Sequence, residues 1–346
     1  MAPRNASIDA DESGATRWRR RLGTVAALFV ATVAWCASLP TLIPLAVGVD
    51  VVRRARFGAT RFVALIAVYL VCECAGVLAS AWIWLTRGRD HDAWVQRNFR
   101  LQNWWAGTLF AAGARLYGLR VQVDGADSVA PGPVVLLVRH SSVADTLVPA
   151  VFVSARRGLL LKYVLKRELL LDPCLDIVGQ RLPNVFVRRG GADPAREVAN
   201  VRRLAQDLGP GEGVIVFPEG TRFSPKRRAE ALTRLAASDP ALARRAAGLT
   251  ATLPPRLGGT LALLDAAPDA DVVVCGHVGF DGVRRLGDLW NGALVGRAVH
   301  VTFWRCPRAT IPTDRAGQTD WLYTQWERLD AWVNTANARA TQPASR

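Results

Sequence analysis

The sequence predicts an α/β domain carried behind a hydrophobic, helical N-terminal segment. Three features predict it. From about residue 115 to 310, short apolar runs alternate with helical stretches, the pattern of strands joined by helical crossovers. Two long apolar runs, Leu22–Val52 and Phe62–Leu85, precede that region. The 346 residues are 50% apolar, ample for one large domain or two small ones, and charged residues at 21% do not suggest disorder.

The elements follow in chain order. Residues 1–21 form a polar tail ending in Arg17, Arg19, Arg20 and Arg21. Pro40 and Pro44 interrupt the first apolar run, and a break there suits a shallow or re-entrant hairpin. The second run would reach roughly 36 Å as a helix, enough for a bilayer core of about 30 Å. Trp82 and Trp84 near its end fit an interfacial belt, and Glu73 in its middle must face a partner helix or water. Residues 22–90 are therefore read as membrane-anchoring helices. A signal peptide for the first run and a buried soluble helix for the second are the competing readings. Arg residues stand before, between and after the runs (Arg53, Arg54, Arg56, Arg61, Arg87, Arg89), so charge selects no orientation. Across 91–118, Trp94, Phe99, Leu101, Trp104, Trp105, Leu109 and Phe110 recur at helical spacing. They predict one or two amphipathic interfacial helices, or an ordinary core helix.

Strands are expected at Val121–Val123, Val134–Val138, Leu159–Leu165, Asn184–Val187, Gly213–Phe217, Val272–Val278 and Val299–Phe303. Helices are expected at Asp145–Ala155, Asp193–Leu208 and Pro225–Gly248. Thr313–Ala340 reads as a helix or two before a polar tail, so 311–346 is a C-terminal helix and tail.

Formal net charge is +15, and Lys occurs only at Lys162, Lys166 and Lys226, so the 44 basic residues are almost all Arg. A basic balance points to phosphate-bearing partners: nucleic acid, an anionic membrane or a phosphorylated substrate. The six cysteines show no paired metal spacing and are too sparse for a disulfide scaffold. Secreted mini-proteins and zinc fingers are thereby disfavoured.

Three strand-end segments carry candidate chemistry. The first is His140-Ser141-Ser142-Val143-Ala144-Asp145, after the run Val134–Val138. A His with a carboxylate is the minimal general-base pair. Five residues on a regular helix would put the two side chains about 140° apart. The pairing therefore needs a loop at His140 and Asp145 at a helix start; taken alone, the spacing equally fits a surface histidine. The second is Phe217-Pro218-Glu219-Gly220-Thr221-Arg222-Phe223-Ser224, where Gly220 permits close backbone approach and Thr221 and Arg222 can hold a phosphate or oxyanion. The third is Asn184–Gly191, with Arg188 and Arg189 at a strand end, either a phosphate contact or a solvated basic turn. None is a Walker loop or a dinucleotide fingerprint.

In that order, the His-(four residues)-Asp, the strand-end Arg and the Phe-Pro-Glu-Gly-Thr-Arg resemble the glycerolipid acyltransferase family, above all its 1-acylglycerol-3-phosphate acyltransferases. The segments that lead into the first motif, Leu116-Tyr117-Gly118, Val121-Gln122-Val123 and Pro131-Gly132-Pro133-Val134-Val135, are similar to that family as well. The resemblance covers about residues 110–280. It implies an acyltransferase-like catalytic domain, here 119–310, behind an N-terminal hydrophobic helical membrane anchor. It implies His140 as catalytic base, Asp145 as its orienting acid, Arg188 with Arg189 on the acceptor phosphate, and Glu219, Gly220, Thr221 and Arg222 at the acceptor site. Two positions depart from the family pattern: Arg139 stands where Asn is usual, and Cys275 where a Pro is usual. Leu253–Gly259 looks like the branch that includes lysophospholipid and lysocardiolipin acyltransferases.

The implied reaction moves an acyl group from a thioester to a lysolipid hydroxyl. Its partners are a lysophospholipid acceptor, an acyl-coenzyme A or acyl-carrier-protein donor as co-substrate, and anionic membrane lipids. No cofactor, metal or nucleic acid is expected. The expected location is the cell membrane, with the catalytic domain on the cytoplasmic side.

Overall fold

The apolar run Val134–Val138 forms strand β2 in the middle of a six-stranded sheet in the computed structural model, which describes residues 12–187, 199 and 202–341. The other strands of that sheet are β1 (Arg120–Asp124), β3 (Leu160–Lys162), β6 (Glu212–Val216), β7 (Asp271–Val278) and β8 (Ala298–Cys306). Their order is β1-β8-β7-β2-β6-β3, and all neighbours run parallel except the antiparallel pair β7 and β8. β4 (Val164–Lys166) and β5 (Val185–Val187) form a small parallel pair. β2 is buried on both faces, as a central parallel strand must be. Val134, Leu136 and Val138 enter one core with Phe152, while Val135 and Leu137 enter the other with Leu261 and Trp326.

The N-terminal hairpin turns later than the prolines suggest. Helix α1 runs unbroken from Gly14 to Arg53, so its first turns also absorb the end of the tail assigned to 1–21. Pro40 and Pro44 lie inside it. They stand four residues apart, so the carbonyls they release fall on one side of the helix. Packing against the second helix holds α1 together: Ala46 lies against Ala59 and Val63, and Trp35 donates from Nε1 to the Val63 carbonyl at 3.3 Å. The reversal comes at Arg54 and Phe57, both in the left-handed region with φ of 52° and 56°. Asp50 then caps α2 (Gly58–Leu85), accepting from the amides of Ala59 at 3.0 Å and Thr60 at 2.8 Å.

α2 lies along the α/β domain. Gly58 packs against the backbone of Gly292, and Phe62 meets Trp290 edge-on at 5.9 Å. Tyr69 donates to Asp172 at 2.7 Å, and Arg181 donates to the Ser80 carbonyl at 2.9 Å. Glu73 is fully buried and accepts from Trp105 Nε1 at 2.6 Å and the Cys174 amide at 3.2 Å, so it faces a partner helix as its cost in an apolar helix requires. α1 packs outside α2 and exposes Val30, Val33, Leu45, Val51 and Val52. Both helices are long and apolar enough to cross a membrane. A contiguous apolar face of this kind marks contact with lipid or another apolar partner. Arg20 makes two bonds to Asp176, at 2.9 and 3.0 Å, which turns part of the basic cluster onto the catalytic domain.

α3 (His91–Tyr117) is a single helix between α2 and residues 150–155. Phe110 packs edge-on against Phe152 of the apolar helix α4 (Ala144–Ala155), and the Tyr117 hydroxyl donates to the Leu289 carbonyl. Much of α3 is thus a core helix rather than an interfacial one. The run Leu159–Leu165 is divided between two sheets at Tyr163, whose amide donates to Asn184. A short helix, α5 (Pro173–Ile177), follows. Pro225–Gly248 is two helices, α6 (Pro225–Ser238) and α7 (Pro240–Ala246), because Asp239 adopts an extended backbone and caps the second. After α8 (Leu257–Ala266) and α9 (Leu286–Trp290), the C-terminal helix α10 (Arg315–Thr341) sends Leu322, Trp326, Leu329 and Val333 into the core of the α/β domain. Of the expected helix Asp193–Leu208, residues 199 and 202–205 are helical, and 193–198, 200 and 201 lie outside the described residues.

Candidate active site

β7, β2 and β6 are neighbours, and the loops that leave their C-terminal ends meet, the usual place for a site in an α/β sheet. Beyond β2 the Arg139 amide still donates to the Cys275 carbonyl at 3.1 Å, and then the chain turns. Three donors converge on Asp145 Oδ2: the amides of Ser141 at 2.5 Å and Ser142 at 2.8 Å, and His140 Nδ1 at 3.0 Å. The loop supplies the reversal that a regular helix forbids, and Asp145 sits fully buried in the first turn of α4. A carboxylate on Nδ1 fixes the Nδ1–H tautomer and leaves Nε2 as the base. Among the described residues Nε2 takes no hydrogen bond. The ring leans on Phe217 at 4.7 Å.

The turn after β6 grips the backbone of His140. The Gly220 amide donates to the Phe217 carbonyl at 2.9 Å, and Gly220 has φ +65°, which suits glycine. Glu219 is only 2% exposed. It accepts from the His140 amide at 2.8 Å and the Leu253 amide at 3.0 Å, one on each oxygen. The Phe223 amide donates to the His140 carbonyl at 2.7 Å. Glu219, expected at the acceptor site, therefore acts from inside the protein: its carboxylate cannot meet a lipid without leaving two amides unpaired. Thr221 and Arg222 are half-buried, and Arg222 donates to the Arg284 carbonyl at 2.8 Å. Thr221 joins Arg227, Arg234 and Arg256 in lining a cleft of about 410 Å³. Arg188 and Arg189 lie outside the described residues.

Burial pushes the Glu219 carboxyl up to about 8, against the pull of the two amides and Arg139. The folded protein then holds this proton more tightly than the unfolded chain does. Stability should fall as pH rises from the ordinary 4.5 to about 8, by roughly 1.4 kcal/mol per pH unit. Glu219→Gln abolishes the titration but turns an acceptor oxygen into an NH2 facing an amide. The variant should melt below the native protein at pH 5, with a deficit that narrows toward pH 9. A deficit independent of pH in calorimetry contradicts this account.

Three residues of the site carried weak sequence signals. Arg139 reads only as a departure from a motif, His277 only as one of four histidines, and Asp281 as nothing at all. In the structure Arg139 is buried and pairs with Asp281 at 2.6 Å. That pairing outweighs the effect of burial and holds the Asp281 carboxyl below its usual range. Among the described residues no cluster of three His, Cys, Asp or Glu side chains forms a metal site.

Residues 120–258 match the model of the Acyltransferase family. The chain is 26% identical over 210 residues to 1-acyl-sn-glycerol-3-phosphate acyltransferase epsilon of Mus musculus; the match covers 57% of this chain and 56% of the relative, so the chain spans little more than half the relative's length. Its fold is shared with the crystal structure of the 1-acyl-sn-glycerophosphate (LPA) acyltransferase PlsC from Thermotoga maritima, at a TM-score of 0.53 and 17% identity, over 84% of this chain and 98% of that one. The α/β unit is thus a domain of the acyltransferase class. Within that class the chain is similar to the glycerolipid acyltransferases, and the matched residues include His140 with Asp145 and the Pro218–Arg222 turn.

Proposed function

We propose that the protein transfers a fatty acyl group from an acyl thioester to the hydroxyl of a 1-acylglycerol-3-phosphate, forming phosphatidate at a membrane surface. One observation carries this reading: an imidazole held through Nδ1 at 3.0 Å by a buried carboxylate, with Nε2 unpartnered among the described residues. Nε2 takes the acceptor's hydroxyl proton as that oxygen attacks the thioester carbonyl. The new C–O bond forms, the tetrahedral oxyanion collapses, the C–S bond breaks and the thiolate leaves. The imidazolium, steadied by Asp145, returns its proton to the thiolate or to solvent.

Transfer is direct, without an acyl-enzyme. Ser142 Oγ is buried and donates to the Val283 carbonyl at 2.9 Å, and the buried Ser141 Oγ accepts from Arg139 at 3.4 Å. Neither hydroxyl is presented as a nucleophile. The reaction needs no metal or cofactor, and the donor is acyl-coenzyme A or acyl-carrier protein. Arg188 and Arg189 bind the acceptor phosphate, and Gly220, Thr221 and Arg222 serve the acceptor site. The activities of the two relatives favour lysophosphatidate as acceptor. The apolar outer face of α1 and α2 supports anchorage in the cell membrane, and the catalytic domain is assigned to its cytoplasmic side, where anionic lipids meet its remaining surface Arg residues.

Purified protein supplied with acyl-coenzyme A or acyl-carrier protein and a mixture of lysolipids should convert lysophosphatidate at least tenfold faster than lysophosphatidylethanolamine or lysocardiolipin, as read by product mass spectrometry. Faster lysocardiolipin conversion transfers the assignment to the remodelling branch that Leu253–Gly259 resembles. No acyl product from any acceptor removes the enzymatic reading.

A further inference from the structure

A second imidazole stands on the far side of Asp145 from His140. His277, the penultimate residue of β7, is fully buried. Its Nε2 lies 3.4 Å from Asp145 Oδ1 and 3.0 Å from the Arg139 carbonyl oxygen. While Oδ2 collects two amides and His140, Oδ1 has no hydrogen-bond partner among the described residues, so His277 is its polar neighbour. The other nitrogen of His277, Nδ1, is buried without a partner. Charging the ring would strand an N–H there, so the neutral ring with its proton on Nε2 is the form that fits. That single proton goes to the Arg139 carbonyl, and Asp145 Oδ1 stands 3.4 Å from the same nitrogen.

Arg139 returns the contact. Its guanidinium donates to the His277 carbonyl at 2.7 Å and to the Ala251 carbonyl at 3.2 Å, and it pairs with Asp281. Each of the two residues thus holds the main chain of the other with its side chain. The contact spans β2 and β7, and the next residue after Arg139 is His140.

We propose that His277 is a positioning residue for the catalytic pair. Its Nε2–H holds the carbonyl that precedes His140 and stands beside the far oxygen of Asp145, and so sets the angle at which the near oxygen meets His140 Nδ1. A carboxylate with one oxygen undirected can rotate, and outer partners of this kind are worth about 10- to 100-fold where their loss has been measured at metal-bound histidines. The inference rests on the general-base reading of His140.

The test pairs His277→Gln with His277→Asn. The Gln amide reaches the place of Nε2 and can donate there, whereas the Asn amide stops near the place of Nδ1. Both keep an amide in the core, so a purely structural role makes activity follow melting temperature alike in both. With acyl-coenzyme A and lysophosphatidate, kcat should fall about 30-fold in His277→Asn and less than about threefold in His277→Gln, with acceptor KM unchanged in both. Equal losses in the two variants, or a folded His277→Asn with kcat within threefold of native, overturn the proposal.

Nitrogen-15 NMR of histidine-labelled native protein gives a second reading that needs neither activity nor a variant. The chain has four histidines, which makes assignment tractable. His277 should report a neutral ring protonated at Nε2, and a charged ring or an Nδ1–H tautomer overturns the proposal. Should the native protein acylate no lysolipid, the proposed function fails while the NMR result still decides the role of His277.

Discussion

His140→Ala lowers kcat by about 10³-fold and leaves the acceptor KM within a factor of about three. General-base catalysis at a hydroxyl is worth about 10²- to 10⁴-fold, and the lost Nε2 is the group proposed to take the proton. The fold should survive, because the two contacts that hold this stretch of chain use the backbone of residue 140. Its amide donates to Glu219 and its carbonyl accepts from the Phe223 amide, and alanine keeps both. Asp145 loses one of its three hydrogen-bonded donors and keeps the Ser141 and Ser142 amides. The melting temperature should therefore move by only a few degrees. Initial rates of thiol release with lysophosphatidate measure the effect. A variant that retains a tenth of native kcat would show that the proton leaves by another route.

The parts of the protein that could be read from its residues are those where local chemistry decides. β2 follows from five consecutive branched aliphatic residues, since a strand buried on both faces leaves no polar alternation. The His140–Asp145 pairing follows from a spacing that works only across a loop, and the loop is there. What could not be read depends on partners distant in sequence. The Pro40 and Pro44 pair argued for a turn, yet packing against α2 carries the helix through it, and the turn falls where two residues adopt left-handed backbone. Glu219 sits in a motif that points to substrate, but its neighbour Leu253 arrives from 34 residues away and takes the second oxygen. His277 meets Asp145 only because β7 pairs with β2, a contact that no periodicity in either strand announces.

Asp330→Ala should lower the melting temperature by about 5–10 °C, although residue 330 lies on the last helix and far from His140 in sequence. Asp330 is buried, and its carboxylate accepts from the amides of Ala251 at 2.7 Å, Thr252 at 2.8 Å and Thr250 at 3.0 Å, from the Thr252 hydroxyl at 2.9 Å and from Asn334 at 2.9 Å. Alanine strands the two buried amides and the hydroxyl together, at a cost of roughly 3–5 kcal/mol. At about 1.5–2 °C per kcal/mol for a chain of this length, that gives the expected shift. The effect should also reach catalysis. The loop that Asp330 holds places the Ala251 carbonyl on Arg139 and the Leu253 amide on Glu219, the two residues that clasp the chain on either side of His140. Well below the melting transition, kcat should fall about tenfold while hydrogen exchange at residues 250–253 accelerates. Asp330→Asn keeps one acceptor oxygen and should lose about half as much stability. If Asp330→Ala melts within 2 °C of the native protein, the loop is held by its apolar contacts, and the clasp on His140 does not extend to the C-terminal helix.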